Sequence, residues 1–191
     1  MNMKKSIGIK PIMNPLPVLA IGTYNEDKSP NVMTASFGGI VSGSPAAIGI
    51  SLRKATLTYE NIIRNEVFTI SIPSENYIKE IDYFGIVSGK NNDKFKDTGL
   101  TATKGTHVDA PYVEEFPINI ECKLIKIIEL GLHTQFIGEI VDVKVSEEMI
   151  DEKGNQDINK IKPISFAGSE FSYYGIGDKV GSAFSIGKEV K

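Results

Sequence analysis

Arg53, Lys54, Thr56 and Thr58 bring two cations and two hydroxyls to the junction of an apolar run, Ala46–Leu52, and a helix-like run, Leu57–Asn65. A helix that starts there offers free backbone N–H groups and a partial positive charge. Arginine suits bidentate contacts to oxygen anions, and lysine a point-charge contact. The chemistry this combination serves is the holding of a phosphate, so the expected ligand is a phosphorylated cofactor. Taken alone, the two cations read more simply as solvated charges at a strand end. The hydroxyls and the helix start beside them favour phosphate.

Other residues carry weaker signals. In Ser88-Gly89-Lys90 the glycine permits positive φ and consecutive N–H groups pointing to one side, an anion nest that is also an ordinary turn. Met33-Thr34-Ala35-Ser36, read alone, is plain strand. His133, one of two histidines, reads first as a structural hydrogen-bonder, and His107 is assigned nothing. Cys122 alternates with Ile118 and Ile120 on an apolar face, which marks a buried structural thiol. Gly175–Gly181 has the wrong spacing and context for a dinucleotide fingerprint. No His/Cys cluster has metal-ligand spacing, and no nucleophile elbow occurs.

The elements that must position these residues read as short strands. Val18–Tyr24 and Asn31–Phe37 flank a polar turn and form a hairpin. Gly38–Ser44 is expected to be a loop, and an arm at the N-terminus to hold a short strand at Ser6–Lys10. Between Ala46 and Leu52, Ala47, Gly49 and Ser51 share a face of small side chains, open to a close approach by backbone or a flat ligand. Leu57–Asn65 is the clearest short helix, with Leu57, Ile62 and Ile63 for the core. Val67–Ile72 alternates as a strand, and Ser74–Gly85 is helical. In Ile118–Leu124 the alternation slips at Leu124-Ile125, which predicts a bulge. Thr134–Val145 is a long strand with Ile137, Val141, Val143 and Val145 on one face, and Lys162–Ser169 is a last short strand. About six strands joined mostly by hairpins favour an antiparallel barrel over a doubly wound sheet.

The chain has 191 residues, 41% hydrophobic and 24% charged, with net charge −3 and a single cysteine. That composition is ordinary for one domain with a real core and argues against nucleic-acid binding by bulk charge. No apolar run approaches the roughly 18–20 residues of a membrane span. No signal peptide is read, and the single thiol fits a reducing compartment, so a soluble cytoplasmic protein is expected.

Several stretches together resemble a known family. They are Pro17–Thr23, Pro30–Ser36, Ile50–Lys54 with Thr58–Ile62, Phe68–Pro73, Ser88–Phe95, Glu121–Lys123, Gly131–Glu139 and Lys162–Ile164. In order and spacing they resemble the flavin reductase-like family with the FMN-binding split-barrel fold, in its flavoredoxin-type branch. The resemblance implies a mainly β, six-stranded antiparallel Greek-key split barrel with short flanking helices. It further implies one domain over residues 1–191, with a core of about 12–175 and a C-terminal arm at 176–191. It implies a homodimer with FMN near the subunit interface. Asn31, Met33, Thr34, Ala35 and Ser36 would run along the isoalloxazine, mostly through backbone groups and the Thr34 and Ser36 hydroxyls. Ser51, Leu52, Arg53, Lys54, Thr56 and Thr58 would hold the ribityl chain and phosphate. Ser88, Gly89, Lys90, Asp93 and Lys94 would close over the phosphate or the ring edge, with Tyr173 and Tyr174 nearby.

The family often shows Gly-Asp-His where this chain has Gly131-Leu132-His133, which removes an acid partner from His133 as a nicotinamide or ring contact. Gly38-Gly39 replaces bulkier residues found in many members. The implied function is electron transfer through FMN, from NAD(P)H or a redox-protein partner, with no catalytic side chain and no metal. A non-enzymatic FMN-binding carrier or sensor is the alternative. A third, weaker reading is an oxidase akin to the pyridoxamine-phosphate oxidases.

Overall fold

The computed structural model describes residues 3–190. The strands are β1 (Leu16–Pro17), β2 (Leu19–Tyr24), β3 (Pro30–Ala35), β4 (Gly38–Gly43), β5 (Ala46–Arg53), β6 (Val67–Ile72), β7 (Ala102–Lys104), β8 (Pro111–Val113), β9 (Ile118–Leu130), β10 (His133–Val145), β11 (Ile164–Ala167) and β12 (Ser172–Gly175). The α-helices are α1 (Leu57–Asn65), α2 (Ile78–Ile86), α3 (Lys94–Thr98) and α4 (Ile158–Ile161).

Seven strands form the main sheet in the order β3-β2-β6-β9-β10-β5-β4, a three-stranded sheet runs β1-β11-β12, and β7 pairs with β8. Every ladder is antiparallel. The architecture is the mainly β split barrel expected, with one strand more in its main sheet than expected. The extra strand is β4, in the Gly38–Ser44 stretch expected to be a loop. It pairs with β5 at the sheet edge, where main-chain bonds suffice and side-chain pattern gives no sign of it. No strand occurs at Ser6–Lys10, and residues 3–15 are exposed.

Two apolar clusters flank β2. Leu19 and Ile21 join Ile50, Ile62, Phe68, Ile70 and Phe136 on one side. Val18 and Ala20 join Ile81, Phe84 and Phe95 from α2 and α3 on the other. Because β2 is buried on both faces it reads as a continuous apolar run. In α1, Ile62 is fully buried, whereas Ile63 is 43% exposed and does not serve the core as expected.

The long β9–β10 pair carries two bulges. Pairing passes from Lys126↔Ile137 directly to Leu124↔Gly138, leaving Ile125 as the extra residue, where the alternation slips in the sequence. A second break, between Ile140↔Cys122 and Asp142↔Glu121, leaves out Val141. It shifts the strand's phase, so Thr134, Phe136 and Gly138 are the buried positions and Ile137 does not share a face with Val145 as expected. Gly138 is required there: a Cβ would stand 2.6 Å from Phe68 Cζ and 2.9 Å from Cys122 Cβ.

β9 also anchors the loop before β8. The buried Glu121 carboxylate accepts from the backbone N–H groups of Thr106 (2.9 Å), His107 (2.6 Å) and Val108 (3.0 Å), and from Lys144 Nζ. Burial alone would raise its pKa, but those four donors outweigh it and hold the carboxyl below its ordinary value.

Candidate functional site

The end of β5, the start of α1, edge strand β3 and the connection from α2 to α3 surround one cleft. Its two lobes, 310 Å³ and 330 Å³, share Met33, Arg53, Thr56 and Gly85 in their walls.

The first lobe is built around the α1 N-terminus. Thr56 is the cap: its backbone is extended (φ −85°, ψ 143°), and its Oγ1 accepts from Tyr59 N at 3.3 Å and donates to Arg53 O at 2.9 Å. The Leu57 and Thr58 N–H groups have no partner among the described residues, as the first turn of a helix dictates. Thr58 is buried and accepts from Asn31 Nδ2 at 2.9 Å, which leaves its own hydroxyl proton to donate. Arg53 lines both lobes and has no carboxylate within 4.0 Å among the described residues.

The far wall carries Ser88, Gly89 and Lys94. A Cβ on Gly89 would lie 2.2 Å from Asn31 Oδ1, so no side chain fits where this loop crosses the buried asparagine. Lys94 opens α3 and is 4% exposed. Its Nζ donates to Phe84 O at 2.7 Å and meets no carboxylate among the described residues. Burial pushes its pKa down to about 8. A buried ammonium with donors to spare is a site for an anion, and it faces the same lobe as the free helix N–H groups.

The second lobe takes Met33, Thr34, Ala35, Ser36 and Phe37 on one side and Ser51, Leu52 and His133 on the other. Among the described residues β3 pairs only with β2, so its outer edge keeps main-chain donors and acceptors free of a ladder partner. The Thr34 hydroxyl donates to Ile81 O in α2, leaving it able only to accept from a ligand. Register places His133 opposite Arg53 and Gln135 opposite Ser51. The His133 ring tilts against Phe37, with centroids 5.4 Å apart and planes at 46°. The Gly49 part of the small-residue face is covered by this chain, since a Cβ there would meet Val41 Cγ1 at 3.0 Å and Gln135 Nε2 at 3.3 Å.

Residues 13–172 match the model of the flavin reductase like domain. The chain belongs to the flavin reductase-like family. It is 51% identical to the flavoredoxin of Desulfovibrio vulgaris (Miyazaki F), with a TM-score of 0.93 covering 97% of this chain and all of that one. The flavoredoxin of Methanosarcina acetivorans is 28% identical, with a TM-score of 0.89 and full coverage of both chains. A curated relative from Moorella thermoacetica, the high molecular weight rubredoxin, is 25% identical over 151 residues, which cover 78% of this chain and 59% of that one.

Of the residues the family resemblance assigns to cofactor binding, three stand outside the cleft. Lys54 is ion-paired with Glu129 at 2.6 Å. Lys90 is paired with Glu60 at 2.6 Å. Asp93 caps α3, accepting from Lys96 N at 3.1 Å. Lys90 and Asp93 line a separate open depression of 590 Å³ that touches the cleft at Leu57 and Gly89. Tyr173 donates to Asp82 Oδ1 at 2.9 Å, and burial with this carboxylate raises its pKa to about 12. It lines a 100 Å³ hollow together with Thr34 and Ser36, while Tyr174 turns to Glu170. Cys122 is buried, its thiol pushed up to about 12 by burial and then by Glu121. Sequence reasoning missed Phe37, Ala55, Leu57 (expected in the core), Gly85, Ile86 and Val87 as cleft residues. Phe37 follows Ser36 directly, but Gly85 and Ile86 end a helix, and nothing in their spacing points to β3.

As a flavin reductase-like protein the chain should accommodate a flavin, and the donor set fits the phosphorylated form. One lobe gathers a buried ammonium, a guanidinium, a hydroxyl proton and two helix N–H groups, all without an anionic partner among the described residues. The adjoining lobe offers a strand edge and an aromatic pair.

Proposed function

We propose that the protein binds FMN and acts as a homodimeric redox protein of the flavin reductase and flavoredoxin type, taking electrons from NAD(P)H or from a protein partner. The observation that carries this is Lys94, a buried cation with no carboxylate among the described residues, facing the free N–H groups of α1. A phosphate monoester supplies the missing charge. The 51% identity to a flavoredoxin supports the same reading.

Bound FMN supplies the electron chemistry, and the protein's residues bind, orient and shield. Lys94, Arg53, Thr58 and the α1 amides hold the phosphate. Free amides along β3 meet the polar edge of the ring, since buried heteroatoms need partners. Arg53, shared by both lobes, would set a positive charge beside both the phosphate and the ring. His133 and Phe37 bound the open side, where an electron donor must approach.

A protein donor is favoured as the second reading, because His133 leans on Phe37 and follows a leucine rather than the acid common in the family. The Moorella relative is named a rubredoxin and is longer than this chain, in keeping with a one-electron carrier as partner. Steady-state oxidation of NADH and NADPH by the yellow holoprotein separates the readings. Turnover supports the reductase. No turnover with either nucleotide, but reduction by a rubredoxin-type donor, supports the carrier. Flavin binding without reduction by either leaves a sensor, and absence of a flavin absorbance band on reconstitution refutes the proposal.

A further inference from the structure

Every residue from Tyr174 to Val190 is exposed. The backbone bonds of residues 176–190 are local ones: Ser185 and Ile186 N–H to Ser182 O, and Lys188 N–H to Ser185 O. Yet this arm is not built like a solvated tail. Val180, Phe184 and Val190 are 97%, 101% and 87% exposed, and Ile176 and Ile186 each 50%. Disordered termini are poor in large apolar side chains, because nothing compensates their exposure to water.

A second uncovered apolar surface lies on the same chain. Val41 on β4, Leu130 at the end of β9 and Leu132 at the turn are all at least 49% exposed. Val41 and Leu130 share the face of Arg53 and His133, so this surface continues from the rim of the cleft. The arm leaves β12 one residue after Tyr174, next to Tyr173 in the hollow that adjoins Thr34 and Ser36.

We propose that the C-terminal arm of one copy lies on the β4 and β9–β10 surface of a second copy, the exchange being reciprocal. The two surfaces fit each other in kind, and two-fold symmetry lets each copy supply one strap and one seat, so both are covered at once. The side chains named amount to about 800 Å² per copy when buried, the size of a standard specific interface. Gly177 and Gly181 give the strap the freedom to follow a curved seat. The proposal rests on the homodimer put forward above and adds what holds it together.

The test uses the full chain with Phe184→Cys carrying a benzophenone; Cys122 is buried and does not label. Sedimentation reports the dimer, and irradiation followed by peptide mapping reports the arm. The expected result is a dimer that becomes covalent, with adducts in peptides spanning residues 38–53 or 124–137. A dimer with adducts only inside its own chain, with adducts elsewhere on the partner, or with none overturns the arm exchange and leaves the dimer. A monomer overturns both. Val180→Asp with Phe184→Asp changes only exposed side chains and is expected to weaken dimerisation at least tenfold with an unchanged circular dichroism spectrum. An unchanged dimer dissociation constant overturns the proposal.

Discussion

The affinity for FMN should fall as pH rises through the titration of Lys94. In the empty cleft burial holds this lysine at about 8, against an ordinary 10.5. A phosphate dianion beside it restores the proton's hold, so binding at alkaline pH must first protonate an amine. If the bound value returns to about 10.5, affinity drops about tenfold between pH 7 and pH 9. The phosphate itself, with a second pKa near 6, stays dianionic over that span. Riboflavin carries the same ring without the phosphate and serves as the control. Flavin-fluorescence titrations at pH 7, 8 and 9 should show the decline for FMN and not for riboflavin. Lys94→Met should remove the slope and weaken FMN at pH 7 by about 10- to 150-fold, the loss of one charge-assisted hydrogen bond of about 1.5–3 kcal/mol. The stability of the empty protein must run the other way. Between about 8 and 10.5 the unfolded chain holds the proton more tightly than the native one, so apo stability rises with pH there. An FMN slope that persists in Lys94→Met, or a matching slope for riboflavin, refutes the assignment.

Arg53→Ala should weaken FMN far more than riboflavin in the same titration, whereas Lys54→Ala, which only breaks the pair with Glu129, should change FMN affinity less than about twofold. Gly138→Ala should lower unfolding stability by about 2 kcal/mol in a urea melt, because its methyl must displace Phe68 or Cys122. Glu121→Gln should cost about 3 kcal/mol by leaving the 106–108 amides short of an acceptor and Lys144 with Asp142 alone. Since Glu121 is held below its ordinary value, its stabilisation is present above the unfolded pKa and is lost as pH falls through the native one. Acid melts of wild type and variant should therefore converge at low pH.

Strands with strong alternation were legible in the sequence, as β6 shows, and so was the bulge at Ile125, because a phase slip is itself a sequence pattern. β4 was not, since its glycines and serine pair through the main chain alone. The bulge at Val141 was hidden because Ile137 is apolar as well as Ile140, so the apolar pattern fits either phase. In the cleft, the helix start with its two hydroxyls and the cation at Arg53 followed from local order along the chain. What separates Arg53 from Lys54, and Lys94 from Lys90, is which carboxylate each can reach. Glu129 and Glu60 are distant in sequence from the lysines they neutralise, and only the folded chain reveals those pairs.

The twin irregularities of the β9–β10 hairpin cancel. Ile125 adds a residue to one strand and Val141 adds one to the other, so the ladder is offset by one only between Gly138–Ile140 and Cys122–Leu124. Beyond that window both ends run in the same frame. Trimming either extra residue alone would let the pairs on its two sides close up into a regular ladder, removing the local bend while keeping every partner. Trimming both would straighten the hairpin and leave the His133–Arg53 rung where it stands. Natural losses of residues along this hairpin are therefore expected to fall at Ile125 or Val141, where no cross-strand partner is lost.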